Sequence, residues 1–320
     1  MNTLIVILGP TGVGKTETCL RVAEYFHIPI INADSRQLFR EIPIGTAAPT
    51  PPQLARARHY FVGTHSIDDY YSASMYEQDV LALLEQLWKH PACNNDSPAI
   101  RDGGDKPASF RGLALMSGGS MMYIDAVCNG IDDIPTVRDD IRIWMKQRLA
   151  DEGLESLCEE LQRLDPDYYA IVDRQNYRRV IHALEIIHQS GKTHTSFRTN
   201  ERKERPFHIL KIGLNRPREE LYERINRRVD QMVADGLVDE ARRMYPHRAN
   251  NALNTVGYKE LFNAFDGTWT MEEAIERIKG NTRRYCRKQL TWFKRDEAIR
   301  WLPADDTDDI IRLIRKQSEP

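Results

Sequence analysis

The segments LIVIL (residues 4–8) and GPTGVGKT (residues 9–16) set the architecture of this chain. An uninterrupted apolar run that ends at glycine is typical of a buried strand in a parallel sheet. The second segment matches G-x-x-x-x-G-K-[ST], a phosphate-binding loop that joins a strand to a helix. The sequence therefore predicts an α/β fold with a polyphosphate site at the carboxyl end of its first strand.

The glycine-rich loop has the composition that polyphosphate binding requires. Glycines let the backbone turn its N–H groups toward phosphate oxygens, and the following helix adds its positive N-terminus. Lys15 supplies a positive charge, and the Thr16 hydroxyl can ligate Mg²⁺. The predicted site consists of Gly9, Pro10, Thr11, Gly12, Val13, Gly14, Lys15 and Thr16. A chance match in a glycine turn is the alternative, which the flanking strand and helix disfavour.

Apolar runs alternate with helical patterns along the rest of the chain. Strands are predicted at 4–8, 28–32, 113–116 and 209–214, and helices at 15–26 and 73–88. This order predicts a P-loop NTPase-like core, in which helices flank both faces of a parallel sheet. The polar, Gly- and Pro-containing segment 94–112 predicts a long surface loop, to which we assign no chemistry.

Residues 136–189 contain no strand pattern. Helical periodicity is present at 137–150, 154–164 and 176–189, which predicts an all-helical insertion domain. The core domain then comprises 1–135 and 190–320. Its last part is again helical, at 217–235, 237–244 and 271–294.

Composition excludes several classes of protein. The 320 residues are 41% hydrophobic and 29% charged, which excludes collagen-like, coiled-coil and disordered chains. No apolar run approaches the roughly 20 residues that span a bilayer, and no signal peptide pattern is present. The five cysteines are scattered without metal-ligand spacing. We therefore expect a reduced cytoplasmic protein without disulfides, structural zinc or a membrane anchor.

An acidic residue follows the second predicted strand, in NADSRQ at residues 32–37. Ligands of doubly wound sheets bind at the carboxyl ends of strands, so Asp34 should face the same crevice as the loop. Its carboxylate can accept a proton from an attacking amine or hydroxyl, while Arg36 and Gln37 bind a second substrate. Alternatively, Asp34 caps the next helix or pairs with Arg36.

The third predicted strand lacks the carboxylate that holds Mg²⁺ in P-loop nucleotidases. It ends in MSGGS at residues 116–120. ATP hydrolysis that drives motion is therefore disfavoured, and a transferase or small kinase is favoured.

An arginine interrupts the apolar stripe of the helix at 217–235. The stripe consists of Leu221, Ile225, Val229 and Met232. Arg228 falls within it, and a buried guanidinium is costly unless an anion or a carboxylate meets it. Arg228 is thus either an anion-binding residue or part of a buried structural ion pair.

The segment 277–295 is strongly basic, although the whole chain has a net charge of −2. It holds no acidic residue and eight basic ones: Arg277, Lys279, Arg283, Arg284, Arg287, Lys288, Lys294 and Arg295. Tyr285, Trp292 and Phe293 are interleaved with them. Such a pattern favours a nucleic-acid face with stacking aromatics. A solvated helix with its aromatics in the core is the alternative.

Eight segments between residue 9 and residue 295 form an ordered set: GPTGVGKT (9–16), NADSRQLF (32–39), IGTAAP (44–49), YYSASMYEQD (70–79), SGGSMMY (117–123), YRRVIHALEI (177–186), VGYKEL (256–261) and RRYCRKQLTWFKR (283–295). This order is typical of the bacterial tRNA dimethylallyltransferases, and the chain resembles that family over this range. The resemblance implies transfer of a dimethylallyl group from dimethylallyl diphosphate to N6 of the adenosine 3′ to the tRNA anticodon.

The resemblance also implies roles for individual residues. It implies that Asp34 is the general base. It implies that Thr16 with Mg²⁺ and Arg228 stabilise the departing diphosphate, where Arg228 is the second arginine of an R-x-x-x-R spacing that begins at Arg224. The residues expected to contact the anticodon stem-loop are Asp34, Ser35, Arg36, Gln37, Ser120, Arg142, Arg178, Arg179, His182, Val256, Gly257, Tyr258, Lys259, Arg283, Arg284, Arg287 and Lys288. The implied protein is a monomer that extrudes the adenosine from its stack.

Two positions depart from the family pattern. Ser120 replaces a usual threonine and keeps the hydroxyl, whereas Ala48 replaces the lysine of G-T-A-K-P, which bears on one possible phosphate or RNA contact and not on the reaction. Three competing functions remain: an isopentenyltransferase for free adenine nucleotides, a P-loop small-molecule kinase, and a non-enzymatic RNA-binding protein. The intact Lys15, Thr16 and Asp34 disfavour the last of these.

Overall fold

A computed structural model describes residues 2–89, 112–199 and 201–318. Its strands are β1 Thr3–Leu8, β2 Ile30–Asn32, β3 His59–Tyr60, β4 Leu113–Gly118, β5 His208–Asn215 and β6 Arg300–Pro303. Within the described residues they form one sheet in the order β3-β2-β4-β1-β5-β6, and every paired neighbour is parallel. Most of the predicted polar loop, residues 94–111, lies outside the described residues.

The central strand β1 carries side chains into two separate cores. Ile5 and Ile7 belong to one hydrophobic cluster, whereas Leu4 and Val6 belong to another. Alternate residues of a strand point to opposite faces of the sheet, so each face is covered by its own helices. The predicted α/β class with a helix-flanked parallel sheet is therefore confirmed.

Thirteen α-helices lie in the described residues. They are α1 Lys15–Phe26, α2 Pro51–Arg56, α3 Ala73–Lys89, α4 Met121–Asn129, α5 Asp139–Leu164, α6 Pro166–Ile171, α7 Tyr177–Ser190, α8 His194–Phe197, α9 Arg218–Ala234, α10 Leu237–Met244, α11 Tyr258–Phe265, α12 Met271–Phe293 and α13 Thr307–Ser318. None of them is long and apolar enough to cross a membrane.

Local sequence explains where two of these helices begin and bend. Gly14 precedes α1 in a left-handed conformation (φ 110°), which glycine adopts without a steric penalty. Gly153 interrupts α5 with non-helical angles (φ 80°, ψ 169°), so the two helices predicted at 137–150 and 154–164 are joined across a kink. The predicted bounds of α1 and α10 agree with the structure.

The chain divides into two compact units, residues 1–128 with 205–320 and residues 129–204. The second unit has its own core, in which α5, α6 and α7 contribute residues such as Met145, Leu161 and Leu184. Its ends are joined by a hydrogen bond of 2.8 Å from the Lys203 N–H to the Asn129 carbonyl. The unit extends beyond the bounds 136 and 189 expected from sequence, because α8 and the segments that flank it belong to the same unit.

Gly118 brings two strand ends into close contact. A Cβ atom at Gly118 would lie only 2.2 Å from the carbonyl oxygen of Ala33, so no side chain fits there. The Ala33 N–H donates to the Ser117 carbonyl over 2.7 Å, and the Ser120 N–H donates to the Ala33 carbonyl over 3.2 Å. The loops after β2 and β4 are thereby held side by side.

Candidate active site

A cavity of about 470 Å³ lies in the first unit, among the loops that leave the carboxyl ends of the sheet. Its lining includes Thr11 from the loop after β1, Asp34 from the loop after β2 and Ser120 from the loop after β4. Arg228 of α9 and Tyr285 of α12 complete this part of the wall. The structure therefore brings the predicted base and the predicted anion-binding arginine to one cavity.

The phosphate loop holds its lysine against its own backbone. Lys15 Nζ donates to the carbonyls of Gly9 (2.9 Å) and Pro10 (3.0 Å). Burial, and next the charge of Arg228, lower the pKa of Lys15 from 10.5 to about 8. Thr16 is exposed at the start of α1. The loop is thus electropositive, with a lysine whose proton is weakly held.

Two further arginines, which sequence analysis did not select as site residues, contact the loop. Arg216 Nε donates to the Val13 carbonyl over 2.7 Å. Arg224 Nε donates to the Gly12 carbonyl over 2.8 Å. Arg216 follows β5 and is also ion-paired with Glu220 (2.6 Å) and Asp305, whereas Arg224 lies in α9. The family spacing was a sequence signal for Arg224, and Arg216 carried none.

Arg228 contacts the same loop one turn after Arg224. Its Nη2 donates to the Thr11 hydroxyl. Its Nε is buried and has no hydrogen-bond partner in the described part of the chain. Burial lowers the pKa of Arg228, while the carboxylate of Asp34 opposes that shift. Arg228 lines the cavity beside the phosphate loop, so its guanidinium is suited to an anionic ligand there.

Asp34 sits in a short turn at the cavity wall. Its Oδ1 accepts the Arg36 N–H over 2.9 Å, whereas the Arg36 guanidinium donates to the carbonyls of Asn251 and Ala252. Asp34 therefore closes a turn and caps no helix, because the next helix begins at Pro51, and the Arg36 side chain binds a different loop and not Asp34. The carboxylate still lines the cavity. It is in place to accept a proton there.

A hydroxyl pair and a phenol lie beside Asp34. Ser120 Oγ accepts the Ser35 N–H (2.8 Å) and donates to Ser35 Oγ (3.1 Å). Tyr285 lines the cavity and is 36% exposed. Burial of its hydroxyl, and next the charge of Asp34, raise the pKa of Tyr285 to about 12, so the phenol stays neutral near pH 7.

Gln289 of α12 joins two loops of the site and was missed by sequence analysis. Its Oε1 accepts the Thr11 N–H over 2.9 Å, and its Nε2 donates to the Gly119 carbonyl over 2.8 Å. The side chain is 2% exposed. Its signal in the sequence was only its place within RRYCRKQLTWFKR.

The predicted RNA contacts of the first unit occupy different environments. Gln37 Nε2 donates to the carbonyls of Thr46 and Ala47, which supports the neighbouring loop. Tyr258 is fully buried, and its hydroxyl donates to Glu240, so it lies in the core and not on a surface open to RNA. Three others line the cavity: Val256, Gly257 and Lys259.

The basic segment of α12 presents one exposed face. Arg283 and Arg284 donate to Asn226 (2.6 Å) and Asn281 (2.9 Å). Arg287 and Lys288 are exposed. Of the interleaved aromatics, Phe293 is buried and Trp292 Nε1 donates to Asp125, so only Tyr285 presents an exposed ring. Core packing thus accounts for two of the three aromatics.

The remaining predicted RNA contacts lie in the second unit. Arg178 and Arg179 are exposed on α7, and Arg142 is half-buried on α5. His182, also exposed, lies 3.3 Å from Glu185 through its Nδ1. This unit is separate from the one that contains the cavity.

The donors near the loop fit a magnesium ion only in part. Mg²⁺ keeps several waters and takes one or two protein oxygens together with substrate phosphates. The exposed Thr16 hydroxyl can be such an oxygen. No group of three or more His, Cys, Asp or Glu side chains suited to a metal occurs among the described residues. The residues present therefore suit an ion that enters with its phosphate ligand.

Known proteins are similar to this chain over nearly its whole length. The family model "IPP transferase" matches residues 37–94 and 107–296. The chain is 58% identical over 313 residues to tRNA dimethylallyltransferase 1 of Phocaeicola vulgatus, and 56% identical over 314 residues to that of Bacteroides fragilis. Each alignment covers 98% of both chains.

A solved structure extends the comparison to three dimensions. The full-length tRNA isopentenylpyrophosphate transferase of Bacillus halodurans is 32% identical, with a TM-score of 0.67. The match covers 99% of this chain and 95% of that one. Because the family model covers most of the chain and the relatives from Phocaeicola vulgatus and Bacteroides fragilis are 56–58% identical over 98% of it, this chain belongs to the IPP transferase family.

Proposed function

We propose that this protein transfers the dimethylallyl group of dimethylallyl diphosphate to N6 of the adenosine 3′ to the anticodon in tRNA. The observation that carries the proposal is the single cavity that Asp34, Thr11 and Arg228 share. Asp34 can accept a proton, while Thr11 and Arg228 can stabilise an anionic leaving group. Family membership supports the same reaction.

We assign the acceptance of the N6 proton to Asp34. Because its lone pair is delocalised into the ring, an adenine N6 amine is a weak nucleophile and must lose a proton as it attacks. The N6–C1 bond forms, the bond between C1 and the diphosphate oxygen breaks, and the N6 proton passes to the Asp34 carboxylate. Diphosphate leaves with the electron pair of the broken bond.

We assign the stabilisation of the leaving diphosphate to the phosphate loop and Arg228. Backbone N–H groups of residues 9–16, Lys15 and Arg228 offer positive charge where the leaving oxygens gain negative charge. Thr16 would hold Mg²⁺ on the same phosphates, and the ion would supply further charge neutralisation. The guanidinium of Arg228, which lines the cavity, can pair with an anion that occupies it. This residue therefore contributes more when diphosphate is present than in the empty protein.

We assign RNA binding to exposed arginine and lysine side chains. Arg287 and Lys288 on α12, with Arg178 and Arg179 on α7, can contact phosphates of the anticodon stem-loop. Tyr285 offers a ring on which an extruded base can stack. Arg36 and Gln37 instead hold neighbouring loops, so we assign them a supporting role at the RNA site.

Incubation with labelled dimethylallyl diphosphate and either tRNA or AMP tests the proposal. Label in tRNA, at the adenosine next to the anticodon, is the expected result. Label in AMP would favour an isopentenyltransferase for free nucleotides. Label in neither, with phosphoryl transfer from ATP to a small molecule, would favour a kinase and overturn the proposal.

A further inference from the structure

A buried carboxylate holds one turn of the cavity wall in place. Glu240 of α10 is 1% exposed. Its carboxylate accepts the Ile44 N–H over 2.9 Å, the Gly45 N–H over 2.8 Å and the Tyr258 hydroxyl over 2.5 Å. None of these donors carries a charge, so the carboxylate depends on all three bonds to offset its burial. Gly45 and Thr46 of the same turn line the cavity.

The turn at residues 44–47 packs tightly and has a strained backbone. A Cβ atom at Gly45 would lie 2.3 Å from the Tyr258 hydroxyl oxygen. Ala47 has a φ of 51°, in the left-handed region that residues other than glycine rarely adopt. Its N–H donates to the Ile44 carbonyl over 3.0 Å and closes the turn. Because such a conformation persists only where surrounding contacts fix it, the turn is held in a single arrangement.

A glutamine joins this turn to the loop that carries the proposed base. Gln37 Nε2 donates to the carbonyls of Thr46 (3.1 Å) and Ala47 (2.9 Å). Gln37 follows Asp34 by three residues, in the loop after β2 that also lines the cavity. Hydrogen bonds thus connect Glu240, through the turn and Gln37, to the loop of Asp34.

We propose that Glu240 is a positioning residue for the proton transfer. It fixes the turn at 44–47, and the turn fixes the Asp34 carboxylate through Gln37. The inference rests on the proposed function. Proton transfer requires the base within hydrogen-bonding reach of the amine, and a misplacement of about 1 Å can lower a rate about 10²-fold. Glu240 does not line the cavity, so its effect on the reaction passes through the turn.

Glu240→Gln tests this role, because it keeps the size of the side chain but turns an amide NH₂ toward one of the two backbone N–H groups. At saturating donor and tRNA, we expect the single-turnover rate to fall about 10- to 100-fold. Donor affinity, measured by calorimetry, should stay within about twofold, since the phosphate loop and Arg228 hold the diphosphate. A rate equal to that of the wild type would overturn the inference.

Glu77→Gln is the matched control. Glu77 of α3 is another buried carboxylate of the first unit, is paired with Arg205 and does not line the cavity. We expect it to leave the single-turnover rate unchanged, even where urea unfolding shows a loss of stability. If Glu77→Gln and Glu240→Gln lowered the rate equally, loosening of the core would explain both and the inference would be wrong.

A second comparison separates positioning from stability. In the Asp34→Asn protein no base remains to be positioned, so adding Glu240→Gln should lower the rate by less than about twofold. An equal loss with and without the Asp34 carboxylate would overturn the inference. Gln37→Leu breaks the next connection without touching the buried carboxylate, so the same comparison is made with it if Glu240→Gln does not fold. Absence of dimethylallyl transfer by the wild type would instead overturn the proposed function.

Discussion

Asp34 accepts a backbone hydrogen bond and, in the proposed reaction, also a proton, and one substitution can separate the two. Asp34→Asn keeps an oxygen that can accept the Arg36 N–H, but the amide cannot take a proton from the attacking amine. We expect kcat to fall by about 10²- to 10⁴-fold while tRNA affinity is retained. Single-turnover transfer and tRNA binding measure the two effects. Asp308→Asn, at an exposed carboxylate of α13, is the control, and an unchanged kcat for Asp34→Asn would remove Asp34 from the reaction.

Lys15 predicts a pH dependence of donor use. Its pKa of about 8 means that the protein without donor loses this charge above that pH. Diphosphate favours the protonated lysine, so binding takes up a proton between about pH 8 and the ordinary lysine pKa of 10.5. We expect kcat/KM for the donor to fall above about pH 8. Calorimetry at pH 9 in buffers of different ionisation enthalpy measures the uptake, and a flat profile to pH 10 would contradict it.

At the level of elements, α12 fixes the spacing of the loops after β1 and β4 through Gln289. Gln289→Leu keeps most of the volume but leaves the Thr11 N–H and the Gly119 carbonyl unpaired. We expect the free energy of unfolding to fall by about 1–3 kcal/mol and KM for the donor to rise. Urea unfolding and steady-state kinetics measure these changes.

Gln147→Leu is the matched control for that prediction, because Gln147 is an exposed residue of α5 that binds Asp151. Its free energy of unfolding should change by no more than about 0.5 kcal/mol. If both substitutions lowered the free energy of unfolding equally, the hydrogen bonds of Gln289 to the two loops would stabilise the protein no more than those of an exposed glutamine.

The exposed face of α12 predicts a salt effect on RNA affinity. If Lys288 contacts a phosphate, Lys288→Ala lowers the slope of log affinity against log salt concentration by about 0.7–0.9. Filter binding at several salt concentrations measures the slope. Lys316→Ala, at an exposed lysine of α13, should leave it unchanged. Equal slopes for wild type and Lys288→Ala would place Lys288 outside the RNA site.

Elements with a strong local signal were predictable from sequence. The helices α1 and α10 each follow a left-handed glycine and carry a regular buried face, so both bounds could be predicted. The edge strand β6 has only four partly exposed residues and no apolar run. Its place depends on pairing with β5, which is a long-range contact that periodicity does not contain.

The candidate site was predictable only where a motif or a broken pattern marked it. Asp34 follows a strand, and Arg228 interrupts an apolar stripe. Arg216 and Gln289 carry no such mark, because their importance comes from contacts with loop residues more than 200 positions away. Burial of Tyr258 was equally hidden, since a tyrosine beside a glycine and a lysine is compatible with either environment.

At the scale of the whole molecule, the unit 129–204 contributes none of the six strands that the structure describes. Residues 129–204 have their own core. In the first unit, Arg205 Nε donates to the Val127 carbonyl over 2.9 Å, so the two ends of the cut lie close together. We expect a protein with a short Gly-Ser linker in place of 129–204 to fold and bind the donor, but to lose most of its affinity for tRNA.

Circular dichroism, donor binding by calorimetry and tRNA filter binding test this expectation. The intact chain is the control in each measurement. A shortened protein that fails to fold would show that the first unit depends on the second. A folded one with undiminished tRNA affinity would remove Arg178 and Arg179 from the RNA site.

The spacing of the loops after β2 and β4 depends on Gly118 having no Cβ atom where it packs against Ala33. It does not depend on an attraction between the two residues. Changes of ionic strength and pH weaken ion pairs, but they do not alter the steric packing of a glycine against a carbonyl group. We therefore expect the spacing between Asp34 after β2 and Ser120 after β4 to be insensitive to ionic strength and pH. Even alanine at position 118 would push the two loops apart.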